Sequence, residues 1–407
     1  MTAVSQVIPE LRAVDLESVL DGVAAAPVVP PFHASRRDFV IDLARRLGRR
    51  SAAHPESRAL AYWMRKAEVT RMEAAFAELG TDDIVLQPRG TVFHIPPANV
   101  DTIFVYSWAM STLLGNRNIV RMSSRATDQS NLILEVIREV LIDHPEVARS
   151  TSMLTYGHED AITAAISRVS DTRVIWGGDA TVNRIRAVAL PPHATELTFT
   201  DRFSFAAISA PAYLALDEAG RDALVERFFN DAYFFDQMGC SSARLLIWVG
   251  ASDEASSDFR QRLRSMVRTK GYDVPTSAAI AKIGQAYRGM IDADAVAVDS
   301  RDNALTVLDV ERFPHVRGEF CGGGFLYELP VERLADIAED IRRADQTLAV
   351  FGIPQADLRD FVGRLTGRGV DRIVPIGKAL EFSRYWDGYD LFTEFTRKVT
   401  IDSGGVS

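Results

Sequence analysis

Residues 90–122, GTVFHIPPANVDTIFVYSWAMSTLLGNRNIVRM, pass from strand to helix to strand in one short stretch. Residues 91–95 are rich in β-branched and aromatic side chains, and Pro96-Pro97-Ala98-Asn99 is a turn that its prolines keep out of the helix. Residues 100–114 form an apolar helix closed by Gly115-Asn116, and 118–122 are the next strand. The rhythm then repeats. Thr127 caps a helix through Leu132, Leu134, Val136, Ile137 and Leu141, and residues 152–156, 157–168, 173–176 and 180–189 give strand, helix, strand, helix. Alternation at this spacing predicts crossover units and a largely parallel sheet, so the fold class is α/β. A sheet of this kind binds ligands at the carboxyl ends of its strands.

Upstream, patterning is weak before about Ser35, and Pro27, Pro30 and Pro31 suggest a lead-in lying across the surface. Ser35 caps a helix with Phe39, Val40, Leu43 and Leu47 on one face. Pro55 opens a second, read through Trp63, Met64, Met72 and Phe76 to Gly80. Downstream, Gly177-Gly178-Asp179 follows a strand and opens a helix. That is either a place where a phosphate meets backbone N–H groups or a tight turn that needs glycine. Two short strands, 196–200 and 204–209, precede a long helix over 217–234, which places a lobe boundary near Ala210. The expected domains are residues 1–210, with the segment from about 375 to 407 docking back on them, and residues 211–374.

The second lobe turns on residues 230–250, NDAYFFDQMGCSSARLLIWVG. They read as a helix end, a polar loop over 236–242 and a strand over 245–249 that is apolar throughout, as in a strand covered on both faces. Cys240 sits in that loop between Gly239 and Ser241. It is either a nucleophile presented against a rigid strand or a small apolar packing residue. Further strands are expected at 295–298, 304–308 and 324–329. Cys321, before Gly322-Gly323-Gly324, reads as packing.

The 407 residues are 47% hydrophobic, enough for a sizeable core and two lobes. A net charge of −9 argues against a nucleic-acid surface. No stretch has the roughly 20 apolar residues that span a bilayer, and the first residues lack a signal pattern. Two cysteines make no disulfide framework and suit a reducing cytoplasm. The seven histidines have no ligand spacing, so no metal site is expected.

Several segments, in order, resemble the aldehyde dehydrogenase superfamily. Residues 90–99 resemble the strand and Pro-rich turn ending in the family's oxyanion asparagine, here Asn99. Residues 115–124, GNRNIVRMSS, resemble the segment under the adenosine ribose, with Arg121 in the place of the usual lysine. Trp176-Gly177-Gly178 resembles the pyrophosphate turn. Thr195-Glu196-Leu197 is similar to the segment of the family's glutamate, and Cys240 takes the nucleophile's place. Phe320 and Glu319 partly resemble the ribose-binding glutamate segment. Residues 236–242, DQMGCSS, and 385–390, YWDGYD, narrow the resemblance to acyl-CoA reductases of the bacterial luminescence type (LuxC-like).

The resemblance implies an aldehyde-dehydrogenase-like α/β fold, with a parallel-sheet cofactor-binding lobe and an α/β lobe carrying the nucleophilic cysteine. It implies NADPH-dependent reduction of an acyl thioester to an aldehyde through a Cys240 acyl-enzyme, with CoA as leaving group. Asn99 and the Cys240 backbone N–H are the candidate oxyanion donors, and Glu196 is the candidate base. Arg121, Ser123, Ser124, Arg125, Gly177, Gly178 and Glu319 are the candidate cofactor contacts. Guanidinium groups and hydroxyls over 121–125 suit a 2′-phosphate. Thr198-Phe199-Thr200 replaces the two glycines and lysine that commonly follow the family's glutamate, which favours reduction over hydrolysis. An ionised Cys240 needs a group that lowers its pKa. The sequence identifies none, and cofactor dipoles and nearby backbone are the expectation. Alternatives are an NAD(P)-dependent aldehyde dehydrogenase forming acid, a cysteine acyltransferase or thioesterase without nicotinamide, and a non-catalytic acyl-binding subunit. Expected partners are an acyl-CoA or acyl-carrier substrate, an acyl-activating synthetase and further copies of the chain in a homo-oligomer.

Overall fold

A computed structural model describes residues 3–97, 100–125, 127–157, 159–274, 276–292, 295–314, 317 and 320–402. The chain forms two compact units, Met1–Thr200 with Phe382–Ser407, and Asp201–Glu381.

The strands of the first unit are β1 (Ala3–Ile8), β2 (Arg12–Asp15), β3 (Ile84–Pro88), β4 (Thr91–Ile95), β5 (Arg117–Met122), β6 (Thr151–Thr155), β7 (Thr172–Trp176) and β8 (Thr195–Phe199). Seven of them make a sheet in the order β2-β1-β6-β5-β4-β7-β8. β6, β5, β4, β7 and β8 run parallel, while β1 is antiparallel to both β6 and β2. The chain steps from β4 out to β6, then returns to β7 on the other side of β4. The reversal point therefore lies between β4 and β7, where open α/β sheets hold their ligands. Every residue of β4, and of the helix Ile103–Leu113 that follows, is buried. That explains a helix apolar on all sides.

Three expectations change here. The helix Ala34–Arg50 is capped by His33, whose side chain accepts from Ser35 N–H, and not by Ser35. The segment before Ser35 is structured, with β1, β2 and the helix Leu16–Ala25 extending the sheet at one edge. The helix read from Pro55 to Gly80 is two, Pro55–Trp63 and Lys66–Ala77, and the break lets the adjacent Trp63 and Met64 both reach the core.

The second unit contains β9 (Phe203–Ser209), β10 (Ala243–Val249), β11 (Ala295–Asp302), β12 (Leu305–Val310), β13 (Phe325–Val331), β14 (Asp345–Phe351) and β15 (Arg372–Pro375). They form one sheet in the order β11-β12-β13-β10-β9-β14-β15, parallel except for the edge strand β11. β9 lies inside this sheet, so the boundary between the units falls at Thr200 and Asp201 rather than near Ala210. β10 is central, and its apolar run fills both faces. Leu246 and Trp248 join one core, Leu245 and Ile247 the other.

The tail returns to the first unit through β16 (Tyr385–Trp386), β17 (Tyr389–Asp390) and β18 (Thr396–Thr400), the last pairing antiparallel with β3. Phe382 stacks on Tyr106 at 5.1 Å, and Tyr389 meets Phe199 edge-on at 5.5 Å. Among the described residues, no helix is long and apolar enough to cross a membrane.

Candidate active site

Cys240 lies just before β10, at the amino end of that strand. The chain reaches it from the helix Glu218–Tyr233 through a tight turn, Phe234–Gln237. Phe235, Asp236 and Gln237 all have positive φ (55°, 54° and 63°), a left-handed conformation that disfavours side chains. The Gln237 carboxamide, fully buried, holds the turn. Its Nε2 donates to the carbonyls of Ala243 (2.8 Å) and Phe325 (2.9 Å), and its Oε1 accepts from the N–H groups of Gly324 (2.9 Å) and Phe325 (3.1 Å). One side chain thus ties the cysteine loop to the start of both β10 and β13.

The glycine triplet before β13 is what lets the two loops approach. Gly322 has φ +68°, and a Cβ there would stand 2.4 Å from the Asp236 carbonyl oxygen. Gly324 has φ +80°, and a Cβ there would meet Ala304 O and the Tyr233 hydroxyl, each at 2.5 Å. Only glycine fits either position.

Around the Cys240 sulfur the amino ends of β9, β10 and β14 converge. Gln346, on β14 and 2% exposed, donates from Nε2 to Sγ across 3.7 Å. Its Oε1 accepts from the Ser241 hydroxyl at 3.2 Å. Ser204, on β9, donates to the Cys240 carbonyl at 2.6 Å and accepts from Thr347 N–H at 3.2 Å. Arg244 lies close enough for its charge to interact with the sulfur. Burial lowers its pKa, while Cys240 and Asp201 raise it, and a guanidinium remains cationic in a protein. It sits over the Phe320 ring at 4.4 Å.

Cys321 is a different thiol. It packs against the core, and burial pushes its pKa up to about 11, with Lys282 opposing. It is protonated at neutral pH, and its Sγ lies 3.7 Å from Gly322 O.

In the first unit, the candidate cofactor residues line the carboxyl ends of the central strands. Gly178 caps the helix Asp179–Arg186 straight after β7 and offers no side chain to its first-turn N–H groups. Those groups suit an anion, although Asp179 in the same turn opposes one. Ser123, Ser124 and Arg125 are exposed beyond β5, with Ser123 Oγ accepting from Arg125 N–H at 3.1 Å. Arg121 is anchored. Its Nη2 donates to Gly157 O at 2.6 Å, and its guanidinium lies 4.9 Å from the Tyr156 ring centre. Exposed hydroxyls and two guanidiniums at the end of β5 are groups that can hold a phosphate.

Glu196 is elsewhere. It is the second residue of β8, in register with Arg173 of β7, whereas Phe199 is the one level with Trp176 and the glycine turn. That separates it from the carboxyl ends by three residues, about 10 Å of strand. Its carboxylate accepts from Arg173 Nε at 2.7 Å and from Arg173 Nη2, and pairs with Arg186 at 3.1 Å. Asn99 and Glu319 lie outside the described residues.

Sequence reasoning passed over Gln346, Gln237, Ser204 and Arg244, and it missed β14 altogether. A signal for Gln346 was present. Asp345-Gln346-Thr347 opens the apolar run Leu348-Ala349-Val350-Phe351, and all three polar side chains are buried.

A family model described as acyl-CoA reductase (LuxC) matches residues 81–398. Among solved structures, the chain is similar to aldehyde dehydrogenase 21 from Physcomitrella patens, solved with the reaction product succinate. The TM-score is 0.70 at 14% identity, over 96% of this chain and 91% of that one. It is similar to the γ-glutamyl-γ-aminobutyraldehyde dehydrogenase of Burkholderia cenocepacia, with TM-score 0.67 at 13% identity over 98% and 92%. It is also similar to the NADP-dependent glyceraldehyde-3-phosphate dehydrogenase of Bacillus halodurans, solved with NADP, with TM-score 0.63 at 14% identity over 98% and 95%. At such identities the likeness shows the fold, which is aldehyde-dehydrogenase-like. No curated protein matches the chain by sequence.

Proposed function

The chain belongs to the LuxC family of acyl-CoA reductases, and we propose that it reduces an acyl thioester to an aldehyde with NADPH through an acyl-enzyme on Cys240. The observation that carries this reading is the contrast between two thiols. Cys240 faces an N–H donor and a nearby guanidinium, whereas Cys321 is held protonated by burial.

The Cys240 sulfur attacks the thioester carbonyl, forming a new C–S bond. The tetrahedral oxyanion is assigned to the Asn99 amide and the Cys240 backbone N–H. Its collapse breaks the bond to the carrier sulfur, and CoA leaves, taking a proton from solvent. NADPH, when bound, would supply a hydride to the carbonyl carbon of the Cys240 thioester, giving the thiohemiacetal anion. The C–S bond then breaks, aldehyde leaves and the Cys240 thiolate is restored. Arg121, Ser123, Ser124 and Arg125 are assigned to the cofactor's 2′-phosphate, the Gly177-Gly178 turn to its pyrophosphate and Glu319 to its ribose. We give Glu196 a structural part. Hydrolysis to acid needs a base free to activate water, and the Glu196 carboxylate is engaged by Arg173 and Arg186. An acyl-activating synthetase is the class of partner that would supply the thioester.

The test is a panel of acyl-CoAs with NADPH, following nicotinamide absorbance together with aldehyde, beside aldehyde with NADP⁺ and no CoA. NADPH loss matched by aldehyde supports the reading. Acid formed faster in the second reaction makes the protein an aldehyde dehydrogenase. Free CoA without NADPH loss makes it a thioesterase or acyltransferase.

A further inference from the structure

We propose that Gln346 is a catalytic residue, donating its side-chain N–H to the Cys240 sulfur so that the sulfur is held as a thiolate before attack and again when aldehyde leaves. The proposal rests on Cys240 being the nucleophile and supplies a group that stabilises its thiolate, the thiol proton passing to solvent.

The hydrogen bonds around the carboxamide support its nitrogen end facing sulfur. Ser204 Oγ accepts from Thr347 N–H at 3.2 Å and gives its one proton to the Cys240 carbonyl at 2.6 Å. Ser241 gives its proton to Gln346 Oε1 at 3.2 Å. The oxygen end accepts from Ser241, and the nitrogen end stands 3.7 Å from Sγ. The reverse orientation would set the amide oxygen against an anionic sulfur, which is unfavourable.

The donor is also held still. Gln346 is the second residue of β14, and its neighbour Asp345 is fully buried. Asp345 accepts from Arg317 Nε (2.7 Å) and Nη2 (3.1 Å) and from Arg342 N–H (2.8 Å). A donor on a pinned strand need not reorganise as charge develops on sulfur. The Arg244 cation adds a favourable potential. A neutral N–H donor stabilises the thiolate less than a bonded cation would. That preserves nucleophilicity, which falls as thiol pKa falls. When the thiohemiacetal C–S bond breaks, the electron pair returns to sulfur, and the same N–H receives it.

The experiment uses the full chain carrying Cys321→Ala, so that Cys240 is its one thiol. The rate of alkylation by iodoacetamide is measured against pH for that parent and for Gln346→Met and Gln346→Glu added to it. Loss of the donor in Gln346→Met should raise the midpoint by about one pH unit, with roughly tenfold slower alkylation below it. Gln346→Glu should raise it further, because a carboxylate opposes the thiolate. A merely structural role would lower melting temperature without moving the midpoint. Unchanged midpoints in the folded variants overturn the proposal, and should Gln346→Met fail to fold, Gln346→Leu takes its place as the variant without a donor. Iodoacetamide needs neither acyl-CoA nor NADPH, so this outcome is separate from failure of the reductase reading, which shows in turnover.

Discussion

Gln237 and Phe325 are joined as two strand residues would be, the Gln237 side chain standing in for backbone. Its Nε2 donates to Phe325 O at 2.9 Å and its Oε1 accepts from Phe325 N–H at 3.1 Å. Three consecutive left-handed residues, each costing roughly 1 kcal/mol or more, are stabilised by this clamp. Gln237→Leu should therefore lower stability by about 3 kcal/mol or more, since it strands several buried backbone groups. Urea unfolding measures it. A change within experimental error would show that the turn holds itself.

His94, fully buried on β4, is locked between Ser107 Oγ (2.8 Å) and Asn118 Oδ1 (2.9 Å). Burial lowers its pKa to about 4, with the Asn118 hydrogen bond opposing. Between the unfolded value near 6.5 and about 4, the unfolded chain binds a proton that the native chain does not. Stability from this group is complete above about pH 6.5 and is lost as pH falls, about 2 kcal/mol of it by pH 5. Denaturation of the parent and of His94→Gln at neutral pH and at pH ~5 checks this. The parent should lose more stability than the variant, and equal losses would contradict the assignment.

Glu196→Gln should leave NADPH-dependent turnover within about a factor of three, because a structural ion pair makes no interaction special to the transition state. Arg173 is nearly fully buried beside it, so stability should fall by on the order of 2 kcal/mol. A large rate loss with unchanged melting would restore Glu196 as a base.

Arg125 is exposed and Arg121 anchored, so their variants should differ. Arg125→Glu should cut the preference for NADPH over NADH, read as a ratio of kcat/KM, by about tenfold, without a change in melting temperature. Arg121→Glu should cut it too and also lower stability, since the contacts to Gly157 and Tyr156 are lost. A parent enzyme that uses both cofactors equally would remove the argument.

Strand and helix alternation over residues 90–189 carried the first sheet, because in a βαβ unit each element is local and its periodicity is unmixed. The cysteine loop was legible for the same reason, with a polar break between a helix and a wholly apolar strand. β1 and β2 were not, since short edge strands gain their stability from a partner such as β6, far along the chain. The surroundings of the sulfur were hidden by distance in sequence. Ser204 and Gln346 meet Cys240 only because β9 pairs with β14 and β10 in the sheet. Glu196 was read from its neighbours in sequence, whereas the register of β8 against β7 commits it to Arg173.

The most direct test of the acyl-enzyme is to mix the protein with acyl-CoA in the absence of cofactor, quench, and locate the acyl group by peptide mass spectrometry. The account predicts one acyl mass on the peptide containing Cys240, none on that containing Cys321, and loss of the adduct with release of aldehyde when NADPH is added. An adduct on Cys321, or aldehyde formed with NADPH by a folded Cys240→Ala variant, would contradict it.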